Sequence, residues 1–261
     1  MPAGSALLLP SQCEVCRGWD AGLLCAGCRA RHAPLRARCQ RCGLALAISS
    51  PSCGECQRDP PPYARTVVAL DYGFPWDRLI AAFKFERRVE LAAPLAALLD
   101  AAIDAAAETL STPMASSTLV VPVPLSPARL AERGFNQAWE LARRLARRRR
   151  LHAAPEALMR VIDTAAQATL DREERRRNLR NAFAPAPPPL STTRLGWRAP
   201  LQPTPAGPPA ARPTTLHGLD VALVDDVMTT SATAREAAAA LLRGGARSVQ
   251  LWVLARTPAP G

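Results

Sequence analysis

The chain has 261 residues, a net charge of +11 and 48% hydrophobic residues, which reads as a soluble globular protein with one large domain and room for a small one. Its longest apolar region, Leu91–Leu110, is broken by Asp100, Asp104 and Glu108, and the first residues carry neither a charged leader nor a signal-length apolar run. The expectation is a cytoplasmic protein with no membrane insertion. Lys84 is the only lysine among 33 basic residues. An arginine-rich surface of this kind attracts polyphosphates and nucleic acid over about a Debye length.

All eight cysteines lie at the start of the chain as four CxxC pairs, Cys13/Cys16, Cys25/Cys28, Cys39/Cys42 and Cys53/Cys56. Two CxxC turns complete one tetrahedral, all-thiolate metal site, so the count predicts two structural zinc ions. Consecutive and interleaved pairings both satisfy that count. The short gaps Arg17–Leu24 and Gly43–Ser52 favour consecutive pairing, and so small a segment needs metal in place of a core. Pro60–Pro62 reads as a stiff linker, dividing a 1–60 double zinc ribbon from a 63–261 main domain that should keep its own fold when the metal is removed.

Thr66–Tyr72 reads as a strand, followed through Gly73 and Pro75 by a helix carrying Ile80–Phe85. Lys84 lies there between two phenylalanines, as a solvated helix lysine or as a site where arginine would not serve. Leu91–Ala107 reads as a helix, with Pro94 confined to its first turn. Leu119–Val123 reads as an apolar strand that breaks at Pro122 and Pro124 into the loop PVPLSPARLAERGFNQ, whose Arg129, Arg133 and amides offer donors to a polyphosphate. Arg143–Arg150 reads as an exposed basic helix end and a contact for single-stranded DNA. Ala184–Thr215 has no periodic apolar face and reads as a disordered, proline-rich insertion.

Val221–Val224 has the continuous apolar character of a parallel strand buried on both faces. It is predicted to end at Asp225 and Asp226. Thr229, Thr230, Ser231, Ala232 and Thr233 then lead into a helix over Ala234–Arg243, stopped by Gly244–Gly245, before a closing strand at Arg247–Ala255. A hydroxyl-rich turn at a helix N-terminus is an anion cradle, and paired acids beside it select a sugar phosphate over a bare phosphate.

The order VALVDDVMTTSAT resembles the phosphoribosyl-pyrophosphate motif of type I phosphoribosyltransferases. Together with the four CxxC pairs, FKF, RGFNQ and the pattern at Arg160, Gln167, Leu170, Arg175, Asn178 and Phe183, the chain resembles the ComF family of competence-associated, phosphoribosyltransferase-like proteins over nearly its whole length. The resemblance implies an α/β fold with a mainly parallel sheet behind the double zinc ribbon. It implies that Asp225 and Asp226 hold the ribose hydroxyls and Thr229–Thr233 the 5′-phosphate of phosphoribosyl pyrophosphate, accompanied by Mg2+. Ser231 stands where the type I phosphoribosyltransferase motif usually has glycine. Were the protein an enzyme, Lys84, Arg129 or Arg133 would meet the departing pyrophosphate, while a mobile hood would come from the region after Arg160. The implied partners are a sugar phosphate, single-stranded DNA and DNA-uptake proteins. A non-enzymatic, nucleic-acid-binding accessory role stands as the alternative.

Overall fold

The computed structural model describes residues 10–48, 50–110, 118–162, 181–188, 190 and 213–258. The first cysteine-rich lobe pairs β1 (Ser11–Gln12) antiparallel with β2 (Trp19–Asp20) and continues into α1 (Ala26–His32). In the second, an isolated bridge between Arg38 and Ala45 precedes α2 (Gly54–Arg58). The main domain then alternates strand and helix: β3 (Arg65–Asp71), α3 (Trp76–Phe85), α4 (Ala92–Leu110), β4 (Leu119–Pro122), α5 (Pro127–Arg133), α6 (Gln137–Arg149) and β5 (His152–Ala153). β6 (Leu158–Arg160) and β7 (Phe183–Pro185) form a separate antiparallel pair, and β8 (Asp220–Met228), α7 (Ala232–Arg243) and β9 (Ser248–Arg256) complete the chain.

The central sheet is parallel throughout, in the order β3-β9-β8-β4-β5. β9 comes last in sequence yet lies inside the sheet, between β3 and β8, which is why its apolar residues are buried almost without interruption. One face packs Ala222, Val224, Trp252 and Leu254 against α3, α4 and α6, and the other packs Val221, Leu223, Leu251 and Val253 against α7. This is the mainly parallel α/β fold expected. All five strands point the same way, so the loops after β3, β4 and β8 gather at one edge, where open α/β sheets place ligands.

The cysteine lobes are seated on that sheet. Thr66 of β3 donates its N–H to Gln40 O at 2.7 Å and its hydroxyl to Arg41 O at 2.6 Å. The Trp76 indole donates to His32 O at 2.6 Å, and Arg88 holds Glu14 at 2.7 Å. Leu24 of the first lobe is part of the main apolar core.

Several boundaries differ from the sequence reading. β8 does not end at the acids but continues through them to Met228, because β9 supplies ladder partners as far as Arg256. α7 begins at Ala232, two residues earlier than expected. β5 and β6 carry no strand signal of useful length. The expected 184–215 insertion loses its first residues to β7, where Phe183–Pro185 pairs with β6, and buried Leu190 donates to Thr214 O at 2.7 Å. Gln167, Leu170, Arg175 and Asn178, with the hood assigned to them, lie outside the described residues.

Candidate functional site

Asp225 and Asp226 sit where β8 reaches the ligand edge. The alternation of β8 changes sense across them: Leu223 and Met228 pack on the α7 side, while Val224 and Val227 pack on the other. The side chains are held by the backbone, since Asp226 N donates to Asp225 Oδ1 at 2.9 Å and Val227 N to Asp226 Oδ1 at 2.7 Å. Lys84, at the end of α3, places Nζ 3.2 Å from Asp226 Oδ1, with both side chains largely buried. The only lysine of the chain thus meets the acid pair across 142 residues of sequence, 226 minus 84. An ammonium is a compact point charge on a flexible stem, unlike the planar guanidinium fork of the other basic residues. Burial, reinforced by the charge of Asp226, pushes the Asp225 carboxyl up to about 7, with Lys84 opposing the shift.

Thr229 and Thr230 form the turn after β8, exposed and half-buried respectively, and Ser231 enters α7 with φ 64°. That left-handed conformation is the one glycine adopts without penalty, so the Ser231 position has a backbone geometry that glycine would suit. No side chain caps the first turn of α7, at Ala232 and Thr233. The N–H groups there, with the positive end of the helix dipole behind them, form an anion-binding surface. Behind the turn, Arg256 donates from Nη1 to Met228 O at 3.1 Å and to Thr229 O, and from Nε to Cys42 O at 3.2 Å. Arg235 of α7 donates to Asp59 O at 2.6 Å, just beyond α2. Nothing local in the sequence marks either arginine. Each closes a contact across more than 170 residues.

The loop after β4 reaches the same edge, as Val123 N donates to Val224 O at 2.9 Å. Ser126 caps α5, and Gly134 closes it at φ 79°. Asn136 caps α6 through Trp139 N while its amide donates to Val123 O at 3.1 Å. Gln137 is buried and accepts from Arg133 at 2.9 Å. The amides of RGFNQ are therefore engaged within the fold, fixing the loop to α6. Arg133 also lies over the Phe85 ring at 5.0 Å, which joins this loop to the Lys84 segment. The Arg129 side chain has no partner among the described residues.

Arg143–Arg150 is a basic helix end, exposed at Arg147, Arg148 and Arg150 as expected, but most of its arginines also hold carboxylates. Arg143 and Arg144 pair with Glu140, Arg148 donates to Asp100 at 2.8 Å, and Arg149 donates to Asp104 at 2.7 Å. These arginines join α6 to itself and to α4. Arg147 and Arg150 make no such pair among the described residues.

The cysteines fall into two groups, Cys13/Cys16/Cys25/Cys28 and Cys39/Cys42/Cys53/Cys56, with ligand atoms within 4.8 Å of one another in each. Pairing is consecutive. Backbone N–H groups point at the sulfurs, as Cys25 N at Cys13 Sγ (3.4 Å) and Cys53 N at Cys39 Sγ (3.3 Å). Burial alone would raise these two thiols, but the donors outweigh it and bring Cys13 to about 6 and Cys39 to about 7. Four sulfurs with thiolate-stabilising donors and no disulfide form a donor set that can hold zinc.

The fold and its cysteine groups define the class: an α/β protein with a five-stranded parallel sheet that carries an N-terminal pair of four-cysteine lobes. No family model matches the chain. It is 34% identical over 257 residues to the DNA utilization protein YhgH of Escherichia coli O157:H7, covering 96% of this chain and 99% of that one. The YhgH protein of Salmonella typhimurium is 35% identical over the same span. Competence protein F of Haemophilus influenzae is 31% identical over 233 residues, or 89% of this chain and 90% of that one. The chain belongs to the ComF family.

Proposed function

We propose that the crevice between β8 and β4 binds phosphoribosyl pyrophosphate or a related sugar phosphate, and that the protein serves DNA utilization, as the names of its relatives indicate. The observation that carries the reading is the succession of a backbone-held acid pair, a lysine neutralising one of the two acids, and a helix N-terminus with no side-chain cap. In this reading Asp225 and Asp226 accept from the ribose hydroxyls, and the 5′-phosphate takes the N–H groups of Ser231, Ala232 and Thr233 with the hydroxyls of Thr229 and Thr230. Lys84 keeps the acids from repelling the phosphate, and Arg129, free of other partners among the described residues, supplies a guanidinium toward pyrophosphate. A divalent cation such as Mg2+, arriving with the ligand, would neutralise charge on the pyrophosphate. No stretch of the chain identifies a base or amine acceptor, so the reading is of a binding site. The eight reduced cysteines suit a reducing, cytoplasmic setting, and no described helix is long and apolar enough to cross a membrane.

The test is a thermal-shift titration of the zinc-loaded protein with phosphoribosyl pyrophosphate and Mg2+. Ligand at about 100 times its Kd adds about 2.7 kcal/mol to stability by mass action. The absence of any shift at millimolar ligand would remove the reading. Pyrophosphate release over a panel of bases then tells turnover from binding.

A further inference from the structure

Arg143, Arg144, Arg148 and Arg149 of α6 are paired to carboxylates, and a different exposed face brings unpaired arginines beside aromatic rings. Phe74, in the loop between β3 and α3, is 67% exposed. Arg78 lies over its ring at 5.5 Å, and the His32 ring meets it edge-on at 6.1 Å. The Trp76 indole bond to His32 O fixes the end of α1 against the start of α3, so the two rings are held together by buried structure. Arg29 lies one helical turn before His32, with Arg31 beside it, and both are exposed. Arg29, Arg31 and Arg78 have no carboxylate partner among the described residues. Of the acids nearby, Asp71 is paired with Arg36 and Arg38 at 3.3 and 2.7 Å, and Asp77 accepts the backbone N–H of Arg78 at 2.8 Å and keeps its charge, one carboxylate against three arginines. A pocket of about 120 Å³ opens between His32 and Phe74.

A second exposed phenylalanine, Phe85 at 63%, ends the same helix with Arg133 over its ring. α3 has 10 residues, so the two arginine-capped rings are about 15 Å apart along it. Exposed aromatic rings interleaved with unpaired arginines are the chemistry by which single strands are bound: bases stack on the rings, and phosphates take the guanidinium groups.

We propose that the face formed by α1 and the β3–α3 loop binds single-stranded nucleic acid, with a base stacked on Phe74 and phosphates held by Arg29, Arg31 and Arg78. This site is separate from the sugar-phosphate crevice and does not depend on it. The experiment is fluorescence anisotropy of zinc-loaded protein with labelled oligothymidylate and oligouridylate of about 12 nucleotides. Phe74→Ala should weaken binding about ten-fold or more, while Phe74→Trp, which keeps a stacking surface, should not. Arg29→Gln with Arg78→Gln should lower the slope of log K against log salt by about 1.4, or 0.7 for each of two contacts. Arg147→Gln with Arg150→Gln on α6 should leave binding unchanged. Either oligonucleotide bound through Phe74 upholds the proposal and tells DNA from RNA. Wild-type affinity in both the Phe74→Ala and the double arginine variants would overturn it, leaving the face to a protein partner, as would a wild-type protein that binds neither strand. Phe74→Ala should keep the thermal shift given by phosphoribosyl pyrophosphate, so the loss of one activity does not imply the loss of the other.

Discussion

Arg256 bridges Cys42, a member of the second cysteine group, to the turn after β8: its Nε donates to Cys42 O at 3.2 Å and its Nη1 to Met228 O at 3.1 Å. Arg256 is 8% exposed, so its removal takes a buried donor from the Cys42 carbonyl, while Met228 O keeps the Thr257 N–H at 3.1 Å. Hydrogen bonds from a charged donor are worth about 1.5–3 kcal/mol each, and Arg256→Ala should cost at least that much in a urea titration. It should also speed zinc release from the second group, measured with a chromogenic chelator, and leave the first group unchanged. Equal release from both groups would show that the bridge carries no such coupling.

The same contact changes what metal loss should do. The sequence reading has the main domain surviving chelation, but Thr66, Arg41 and Arg256 join the second lobe to β3 and β9. Gly43 lies so close to β3 that an added Cβ would fall 2.3 Å from Val68 Cγ2. Cys39→Ser should take the metal content from two zinc ions to one and lower the melting temperature of the whole protein. Its thermal transition should stay single. A main transition left at the wild-type temperature would restore the picture of an independent ribbon.

Raised above its ordinary value, the Asp225 carboxyl gives stability a definite pH dependence. The folded state keeps a proton that the unfolded chain releases above about 4, so this contribution is fully present below about 4 and is lost as pH rises toward 7. The slope should stay below about 1.4 kcal/mol per pH unit, the limit for one proton. Glu14 and Asp220 are lowered by Arg88 and Arg247 and titrate below this window. Cys13 and Cys39, brought to about 6 and about 7, enter its upper end with the opposite sign, so the comparison with an Asp225 variant isolates the acid. Asp225→Asn should flatten the stability profile between pH 5 and 7, read from urea midpoints. An unchanged slope would place the titrating group elsewhere.

What the sequence made legible is what is local in it. Four CxxC pairs fix their own geometry, and DDVMTTSAT encodes acids, turn and helix start within a few residues. Lys84 left a compositional trace as the only lysine, and its pairing with Asp226 accounts for it. Arg256 left none, because its bonds to Cys42 and Met228 join residues 214 and 28 positions away. β5, with two residues in the ladder, is too short to carry a periodic signal. The RGFNQ amides had the composition of ligand donors, but Asn136 and Gln137 are spent on the loop itself. An acidic stripe at Asp100 and Asp104, four apart on one helix, was the available sign that the arginines of α6 have partners.

Ser231 offers a test by substitution. At φ 64° its Cβ is strained by about 1–2 kcal/mol, while glycine adds conformational freedom to the unfolded chain worth about 0.4–1 kcal/mol. Ser231→Gly should therefore stabilise the protein by roughly 0.5–1 kcal/mol. It should also leave the affinity for phosphoribosyl pyrophosphate unchanged or tighter, since the backbone already has the glycine geometry. Destabilisation in a urea titration would show that the serine hydroxyl contributes more than its Cβ costs.

The arginines of α6 differ sharply in what they touch, and that difference separates a structural role from a nucleic-acid contact. Arg149 is 13% exposed and reaches Asp100 O and Asp104 Oδ1, both at 2.7 Å, so Arg149→Gln should cost about 1–3 kcal/mol through a weakened α4–α6 contact. Arg148 is 57% exposed, and solvent screening limits its pair with Asp100 to about 0.5 kcal/mol. Arg147 has no carboxylate partner among the described residues, and Arg147→Gln should change stability by no more than about 0.5 kcal/mol. None of the three should alter oligonucleotide affinity once the protein is folded. Urea titration and anisotropy on the same preparations decide the matter. If Arg149→Gln weakened oligonucleotide binding at unchanged stability, the carboxylates of α4 would not be its working partners, and the helix end would be the nucleic-acid contact after all.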